Sequence, residues 1–587
     1  MENFYKRLRN LKLPKKNEIK IVISSFSKKE LIVFFGFVAL LTISAIGIAE
    51  TINKTFMVEV PMHGGSMTEG IVGSPRFINP ILSFSDTDND LTSLVYSGLM
   101  RKDNDGNLIP DLAEKYKMSD DGLSYIFTLK NNLYFHDGKP LTADDVLFTI
   151  NEVKNPATKS PKKANWDGIS VDKIDAKTIK FTLKQPYAAF LENSTLGILP
   201  QHLWSSTSSN SPIEINDLNT NPIGSGPYEV KSIDKQSSGT INSYELSSFN
   251  KFSLGKPYID KITLRFYANE KELVSAMENG EVDQVSSITP ENAEILKERN
   301  FTIQSSVLPR VFGLFFNQNQ NQIFTDKNVV KAINEAINKD KIVNDVLSGY
   351  GVVIDDPIPP NMIQYQKLSN DDNISHEDKL ILAQNILAKD GWKKGTDGVL
   401  EKTTVIKKKK TTARLEFSIS TSNIPELAKA ANQIQQDLED IGIQVDVKTF
   451  DVGNLNQYVI RPRKYDALLF GQIITHESDL FAFWHSSQRK DPGLNVAMYT
   501  NAKVDKILES AFSITDEQTR VKKYAQFEDE IAKDMPAVFL YSPKFIYVVS
   551  KNIKGFSLDH INSPSDRFLN SYSWYIDTDN VWKIFSK

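Results

Sequence analysis

Hydrophobic and polar positions alternate along most of the chain, with one long apolar exception near the start. The 19 residues from Leu31 to Ala49 carry no charge. At about 1.5 Å per residue, a helix of this length spans about 28 Å, close to the hydrocarbon core of a bilayer. The pattern predicts a transmembrane helix over 31–49. A cleaved signal peptide is the alternative, because the small residues at Gly47 and Ala49 resemble a cleavage site, but the apolar stretch exceeds the usual signal core.

The charges that precede this helix set its predicted orientation. Residues 1–30 hold nine Lys/Arg and three Asp/Glu, from totals of 69 and 73. Because basic residues remain on the cytoplasmic side, 1–30 is expected to be a cytoplasmic basic segment and the body after Ala49 to be extracytoplasmic. We expect residues 50–63 to form a tether between helix and body.

Two segments of the body show clear local periodicity. Residues 125–135 alternate around Asn131 and Asn132, which predicts a strand, a turn and another strand. In the segment that follows, Thr142 and Asp145 have the spacing of a capping box, which predicts a helix start with one face formed by Val146, Ile150 and Val153.

A βαβ unit is predicted further along the chain. Residues 413–420 alternate as a strand, and 443–450 do so again. Between them, apolar residues recur at helical spacing, namely Leu427, Ala431, Ile434, Leu438 and Ile441. Short connections between these elements indicate a parallel strand pair in an α/β lobe. The lysine run in 405–413 is expected to be a solvated hairpin tip.

Composition narrows the possible functions. The chain has 587 residues, 40% of them hydrophobic, which is enough for several folded lobes. With no Cys, it can form neither disulfides nor thiolate metal sites. Beyond residue 30 the chain is net acidic, which disfavours nucleic acid as a partner because phosphates require a basic surface.

No catalytic constellation is visible in the sequence. HExxH, Walker, GxSxG and GxGxxG motifs are all missing, and the seven histidines are scattered. His476 and Glu477 are adjacent, but no second histidine follows at metal-binding spacing. The sequence therefore predicts a binding protein without cofactor or metal rather than an enzyme.

Five segments in order along the body resemble the family 5 extracellular solute-binding proteins, which are the dipeptide- and oligopeptide-binding proteins of ABC importers. The most specific is MSDDGLSYIFTLKNNLYFHDGKPLTADDVLFTI, at Met118–Ile150. The others are Phe77–Tyr116, with its Tyr-x-Gly-Leu and Pro-Asp-Leu-Ala motifs, NPIGSGPYEV at Asn221–Val230, Phe315–Gly351 and Tyr465–Asp479.

This resemblance implies a two-lobed α/β clamshell of the periplasmic-binding-protein type with an inserted subdomain. Lobe one would comprise 64–92, 204–305 and 546–587, the insertion 93–203, and lobe two 306–545. Closure of the lobes around a solute would create the shape that transporter subunits recognise. The implied function is a membrane-anchored receptor that captures peptides for an ABC permease and ATPase, and a monomer is expected. A sensing or adhesion protein that uses the same clamshell without a transporter is the alternative.

The resemblance also implies the residues that contact the ligand. Relatives bind the peptide main chain like an added strand, and an acidic residue four positions beyond the glycine that matches Gly471 binds the amino end. Thr475 stands at that position here, and Leu469 replaces an arginine found in some relatives. The sequence therefore offers a neutral hydroxyl, and not a carboxylate, at the position that binds the amino end in relatives. The full set of expected ligand contacts is Phe84, Ser85, Asp86, Asn193, Arg310, Phe312, Gly471, Gln472, Thr475 and Glu477.

Overall fold

The computed structural model describes residues 16–187, 189–208, 213–360, 362, 374–406, 409–514 and 516–585. In chain order the strands are β1 (Met57–Pro61), β2 (Ser66–Val72), β3 (Met100–Lys102), β4 (Leu108–Pro110), β5 (Ala113–Met118), β6 (Ser124–Leu129), β7 (Ile169–Asp175), β8 (Thr178–Leu183), β9 (Tyr228–Lys235), β10 (Ile241–Ser248), β11 (Lys261–Tyr267), β12 (Gln284–Ser286), β13 (Thr302–Val307), β14 (Arg310–Phe316), β15 (Gly351–Val353), β16 (Lys393–Lys394), β17 (Leu400–Ile406), β18 (Lys409–Arg414), β19 (Glu416–Ser422), β20 (Gln444–Phe450), β21 (Ala467–Ile473), β22 (Ala537–Val549) and β23 (Thr578–Trp582).

The α-helices are α1 (Lys16–Ser24), α2 (Lys28–Phe56), α3 (Asp86–Val95), α4 (Ala143–Lys154), α5 (Phe190–Asn193), α6 (Gln201–Ser208), α7 (Glu270–Glu278), α8 (Pro290–Glu298), α9 (Lys327–Ala336), α10 (Lys339–Lys341), α11 (His376–Lys389), α12 (Pro425–Glu439), α13 (Val452–Asn454), α14 (Asp479–Trp484), α15 (Ala502–Ser513) and α16 (Glu517–Asp534). Helices α10 and α13 continue directly into the wider turns Ile342–Val346 and Leu455–Ile460.

The chain forms two compact units. The first contains residues up to Met62 together with those from Asp577 onward. Its helix α2 has 29 residues, none of them buried, and is the single helix of the described residues that is long and apolar enough to cross a membrane. A capping box between Ser27 and Glu30 begins this helix. Strands β1 and β23 pair antiparallel in the same unit.

The second unit, His63–Ile576, is built on one 12-stranded mixed sheet. Along the sheet the strand order is β20-β19-β21-β14-β22-β12-β2-β11-β10-β9, and β13 and β15 also pair with β22. A separate four-stranded sheet, β5-β6-β8-β7, lies within the predicted insertion. Its residues nevertheless share one continuous hydrophobic core with β2, β10 and β11.

Strand β22 connects two groups of hydrophobic cores. Its first residues, from Ala537 to Tyr541, pack in the cores formed by residues 311–539 and 314–541. Its last residues, from Phe545 to Val549, pack in cores that include α7, α8 and the segment around Leu558. One strand is therefore anchored in both groups of cores, and these two groups define the two halves of the unit.

Several local predictions are confirmed. Thr142 and Asp145 form the capping box of α4, and Val146, Ile150 and Val153 are buried. The elements β19, α12 and β20 form the expected βαβ unit with β19 and β20 parallel. Strands β17 and β18 form the lysine-rich hairpin, whose tip at 407–408 lies outside the described residues. The predicted basic segment is described only from Lys16 onward.

Two local predictions differ from the structure. Residues 50–56 continue α2 and residues 57–61 form β1, where a tether was predicted over 50–63; within the helix Glu50 and Lys54 form a 2.8 Å ion pair one turn apart. The strand expected at 133–135 is reduced to one bridge between Tyr134 and Pro140. Proline has no N–H with which to extend a ladder, so this pairing ends there. The predicted lobe boundaries stay predictions.

Candidate functional site

Strands β14 and β21 bring two predicted site residues into direct contact. They pair antiparallel with Phe312 opposite Gly471. The ring of Phe312 stacks on Tyr541 with 4.9 Å between centroids and 9° between planes. A Cβ on Gly471 would lie 2.6 Å from Cζ of Phe312. Glycine is therefore required at 471, because only a residue without a side chain leaves room for the stacked ring.

A cavity of about 410 Å³ opens beside these strands. It lies where β19 and β21 diverge: the two strands pair only through Ile419–Ala467 and Ser420–Leu468, whereas β21 continues to Ile473. Carboxyl ends of neighbouring parallel strands are a common location for ligands in α/β proteins. Four predicted contacts line this cavity: Arg310, Phe312, Gly471 and Gln472.

Two of these residues carry unsatisfied polar groups. Gln472 is buried, and neither its amide oxygen nor its amide nitrogen has a hydrogen-bond partner among the described residues. The same is true of Nε of half-buried Arg310. Burial lowers the pKa of Arg310, although the charge of Asp86 opposes this shift.

Asp86 belongs to the other half of the unit. It is the first residue of α3, and Ser85 caps this helix by accepting a 3.1 Å hydrogen bond from the N–H of Asp88. Desolvation raises the pKa of Asp86, the Asp90 carboxylate adds to this, and the positive charge of Arg310 opposes it. The Asp86 and Arg310 charges therefore interact although their elements belong to different hydrophobic cores.

A second cavity, of about 600 Å³, is lined by three separate stretches of chain. They are the turn and loop residues between Lys102 and Glu192, residues from Val307 to Tyr524 in the other half, and Asp559–Asn562. Thr475 and Glu477, two further predicted contacts, lie on its wall. The cavity is therefore formed between parts of the chain that belong to different hydrophobic cores.

Asp479 organises the loop that carries Thr475. Its Oδ2 accepts hydrogen bonds from the N–H of Thr475 at 2.9 Å, the hydroxyl of Thr475 at 3.1 Å and the N–H of His476 at 2.9 Å. An acidic group thus lies next to the position where the resemblance places one, but it is supplied by Asp479. Burial alone would raise the pKa of Asp479. The hydrogen bond and positive charge of His476 outweigh burial, and the pKa is lowered overall.

His476 and Glu192 form an ion pair across the second cavity, with 3.0 Å between Nε2 and Oε2. Lys102 lies 3.2 Å from the same Glu192 oxygen. Burial favours neutral His476, yet its hydrogen bonds to Asp479 and Glu192 raise the pKa to about 9. Burial also opposes ionisation of Glu192, but the hydrogen bond from His476 and the charge of Lys102 lower its pKa to about 2. Both groups are therefore charged at neutral pH.

Two further contacts complete this wall. Glu477 forms an ion pair with Arg520 of α16. Burial raises the pKa of Glu477, and the Arg520 guanidinium opposes this shift. Tyr187 stacks on Phe512 of α15 with 4.9 Å between ring centroids. Glu477 is thus already paired within its own half, whereas Tyr187 and Phe512 connect the two sides.

The structure divides the predicted contacts into three groups. Four line the smaller cavity, two line the larger one, and the remaining four, Phe84, Ser85, Asp86 and Asn193, line neither. Phe84 is exposed, and its ring centroid is 6.4 Å from that of Phe77, whereas the amide of Asn193 donates to the carbonyl of Asn165 at 2.7 Å. The residues that sequence reasoning missed are Lys102, Tyr187, Glu192, His476, Asp479 and Arg520. The adjacency of His476 to Glu477 was the available signal, but Glu192, which pairs with His476 across the cavity, is distant in sequence.

In the part of the chain that the structure describes, no group of three or more His, Asp or Glu residues is placed to hold a metal ion. Glu192 and Glu477, on the wall of the larger cavity, are paired with His476 and Arg520.

Comparison with known proteins identifies the family. Residues 107–492 match the model of the bacterial extracellular solute-binding proteins, family 5 Middle. The oligopeptide-binding protein AppA of Bacillus subtilis is 29% identical over 526 residues, which are 88% of this chain and 92% of AppA. The glutathione-binding protein GsiB of Salmonella paratyphi A is 27% identical over 482 residues, which are 78% of this chain and 86% of GsiB.

Solved structures agree with these sequence relatives. The structure of AppA from Bacillus subtilis in complex with a nonapeptide matches with a TM-score of 0.66, covering 88% of this chain and all of that chain, at 29% identity. NikZ from Campylobacter jejuni in complex with Ni(L-His) matches with a TM-score of 0.67, covering 87% and 99%, also at 29% identity. This chain therefore belongs to the family 5 bacterial extracellular solute-binding proteins, which are two-lobed α/β binding proteins of transport systems and not enzymes.

Proposed function

We propose that this protein captures peptides outside the cell membrane and delivers them to an ABC importer. The observation that carries the proposal is the cavity of about 600 Å³ lined from both halves of the body and bridged by Glu192 and His476. A ligand held there contacts both halves only when they are closed. Ligand binding therefore stabilises the closed shape by its differential affinity for that state.

The peptide main chain would bind along β21. One edge of this strand pairs with β14, and beyond Leu468 its other edge faces the smaller cavity. An extended peptide can add to such an edge through main-chain hydrogen bonds, which supply affinity for many sequences. In this proposal Phe84, Ser85 and Asp86 approach the peptide from lobe one, while 306–545 forms lobe two. The names of AppA and of its nonapeptide complex support a peptide ligand.

The charged groups suggest how the peptide ends are bound. Arg310 can bind a carboxylate, and Asp479 is the acidic group beside the expected amino-end position. Thr475 contributes a neutral hydrogen bond of about 0.5–1.5 kcal/mol, compared with about 1.5–3 kcal/mol for a bond to a charged group. The remaining predicted contacts, Gly471, Gln472 and Glu477, shape the walls, and Asn193 supports the loop beside Glu192.

Helix α2 would anchor the body to the membrane as a single span. Its length and apolar character support anchoring, and the basic residues before it support a cytoplasmic N-terminus. In this arrangement the body acts as a monomer on the extracytoplasmic side, and the permease and ATPase subunits are its partners. A sensing or adhesion role without a transporter is not favoured, because the relatives are named as binding proteins and the family serves transport.

Ligand-dependent stabilisation of the full chain in detergent tests the proposal. A peptide pool containing lengths of two to nine residues should raise the unfolding temperature, because a ligand at 100 times its Kd adds about 2.7 kcal/mol of stability. Glutathione, which is a modified peptide, and nickel-histidine, which is not a peptide, serve as comparison ligands. Stabilisation by one of these alone, with no response to any peptide, would refute peptide capture.

A further inference from the structure

The smaller cavity has an unusual apolar rim. Four aliphatic residues on it, Ile424, Val452, Ile473 and Leu494, are between 43% and 59% exposed. They belong to four different segments, so their convergence is a property of the fold and not of one sequence run. Clustered exposed aliphatic side chains are costly in water and typically mark a binding surface.

The rest of the cavity lining is mainly apolar, with the amide of buried Gln472 and the guanidinium of Arg310 among the exceptions. Its deeper walls are formed by the aliphatic and aromatic side chains Phe312, Leu427, Leu455, Ile460, Phe470 and Phe483. At about 410 Å³ the cavity has room for one large side chain and some water. Its position beside the free edge of β21 makes it continuous with the proposed main-chain site.

Arg461, Asp491 and Arg463, three of the charged residues that line this cavity, already have partners within the protein. Arg461 forms a two-point ion pair with Asp491, with distances of 2.9 and 3.0 Å. Arg463 directs its guanidinium to the backbone carbonyls of Ile460, Arg489 and Gly493. A charged ligand side chain would lose its hydration here without gaining a free counter-charge from either arginine.

We propose that this cavity selects peptides that carry a large apolar side chain, aromatic or branched aliphatic, at the residue bound beside β21. This inference rests on the proposed peptide function and adds the class of peptide. The apolar side chain would cover the exposed rim residues and displace water from the cavity, while the main chain remains bound to β21. Arg310, at the edge of the cavity, has the Asp86 charge as its counterpart.

Binding of a host peptide series to the full chain in detergent tests the selectivity. The probes are Ala-Ala-X-Ala-Ala peptides in which X is Phe, Leu, Ala, Glu or Lys, and the readout is Kd by calorimetry. The Phe and Leu peptides should bind about tenfold or more tightly than the Ala peptide, and the Glu and Lys peptides no more tightly than Ala. The ratio of Kd values is informative because all five peptides share the same main-chain contacts.

Substitutions of the rim residues test whether the selectivity arises at this cavity. Val452→Asp and Ile424→Asp should each reduce, severalfold, the ratio of the Kd of the Ala peptide to the Kd of the Phe peptide. Neither substitution should change the unfolding temperature of the free protein. Ile215→Asp is the matched control, because Ile215 is 72% exposed and lines neither cavity, and its ratio should equal that of the original chain.

The outcomes separate the two proposals. Peptides that bind with equal affinity whatever X is, or that favour Glu or Lys, would overturn the apolar selectivity and leave peptide capture intact. An unchanged ratio in both rim variants would also overturn it, since the selectivity would then arise elsewhere. Failure of every peptide in the series and in the mixed pool would overturn peptide capture itself, and the selectivity with it.

Discussion

Glu192 and His476 lie on opposite sides of the larger cavity and form a 3.0 Å ion pair. Glu192 belongs to the short helix α5, and His476 to the loop that follows β21. Each of the two side chains is 29% exposed, so solvent screens the pair only in part. Because the partners come from segments with different hydrophobic cores, the contact can form only when these segments approach. In the proposed clamshell mechanism it is a contact of the closed state.

Removing the charge of Glu192 should weaken ligand binding. Glu192→Gln loses the ion pairs with His476 and Lys102, which we expect to cost the closed state about 1 kcal/mol and to raise the Kd for peptides about fivefold. Calorimetric titration measures this change. Asp167→Asn, which removes the exposed ion pair with Lys163, is the control and should leave Kd unchanged. Equal Kd values for Glu192→Gln and the original chain would show that the contact does not contribute to closure.

The same pair predicts a dependence of stability on pH. The pKa of His476 is raised from 6.5 to about 9, so its contribution is complete below pH 6.5 and is lost as the pH rises to about 9. Glu192, lowered from 4.5 to about 2, contributes above pH 4.5 and loses its contribution as the pH falls to about 2. Among the described residues, Asp479, Lys102 and Glu477 are further charged groups beside the pair.

Urea unfolding between pH 6 and pH 10 measures this effect. The difference in free energy of unfolding between the original chain and His476→Gln should be about 1–2 kcal/mol at pH 6, after discounting for partial exposure, and should approach zero above pH 9. A difference that stays constant over this range would contradict the assignment of the raised pKa to His476.

Sequence reasoning predicted features that depend on neighbouring residues. The capping box depends on Thr142 and Asp145, which are three residues apart. The apolar stripe of α12 depends on apolar residues that recur about once per helical turn. Both follow from periodicity and hydrogen-bond geometry within a single element. The family resemblance supplied the fold class, which no single periodicity could provide.

Long-range partners could not be predicted in this way. Strand β1 pairs with β23 at the other end of the chain, and Glu192 reaches His476 from another core. Alternating apolar residues identify a strand but not its neighbour, because every strand edge presents the same backbone groups. Asp479 was missed for a related reason: its role depends on the loop folding back so that one carboxylate oxygen accepts hydrogen bonds from two residues.

Helix α2 should retain the protein in the membrane. Its 29 residues include the uncharged span 31–49, so the full chain should remain in the pellet after carbonate extraction of membranes, and a chain lacking residues 1–56 should be soluble. Protease added to intact cells should digest the body and leave an N-terminal fragment. A purified protein that begins after Ala49 would instead demonstrate a cleaved signal peptide.

A side chain at position 471 should disturb the site. Gly471→Ala places a Cβ 2.6 Å from Cζ of Phe312, whose ring cannot retreat because it stacks on Tyr541. We expect a loss of about 1–3 kcal/mol in the free energy of unfolding and weaker peptide binding. Adding Phe312→Leu should restore part of the stability. Gly453→Ala is the control, since its Cβ would meet only a carboxylate oxygen of Asp451 at 3.3 Å.

The buried arginine Arg567 should be essential for stability. Arg567 is fully buried, with both Asp90 oxygens at 2.8 Å and Glu69 at 2.7 Å. Burial raises the pKa of Glu69, and the Arg567 charge opposes this shift.

Arg567→Met would leave two buried carboxylates without a counter-charge, which should cost about 3–5 kcal/mol in the free energy of unfolding. Because Asp90 lies in α3, whose first residue is Asp86, the variant should also weaken peptide binding at temperatures where it remains folded. Arg461→Met, which removes the exposed pair with Asp491, should leave stability unchanged. Equal stability of the two variants in urea unfolding would mean that the carboxylates become protonated or hydrated without cost, contrary to the complete burial of this cluster.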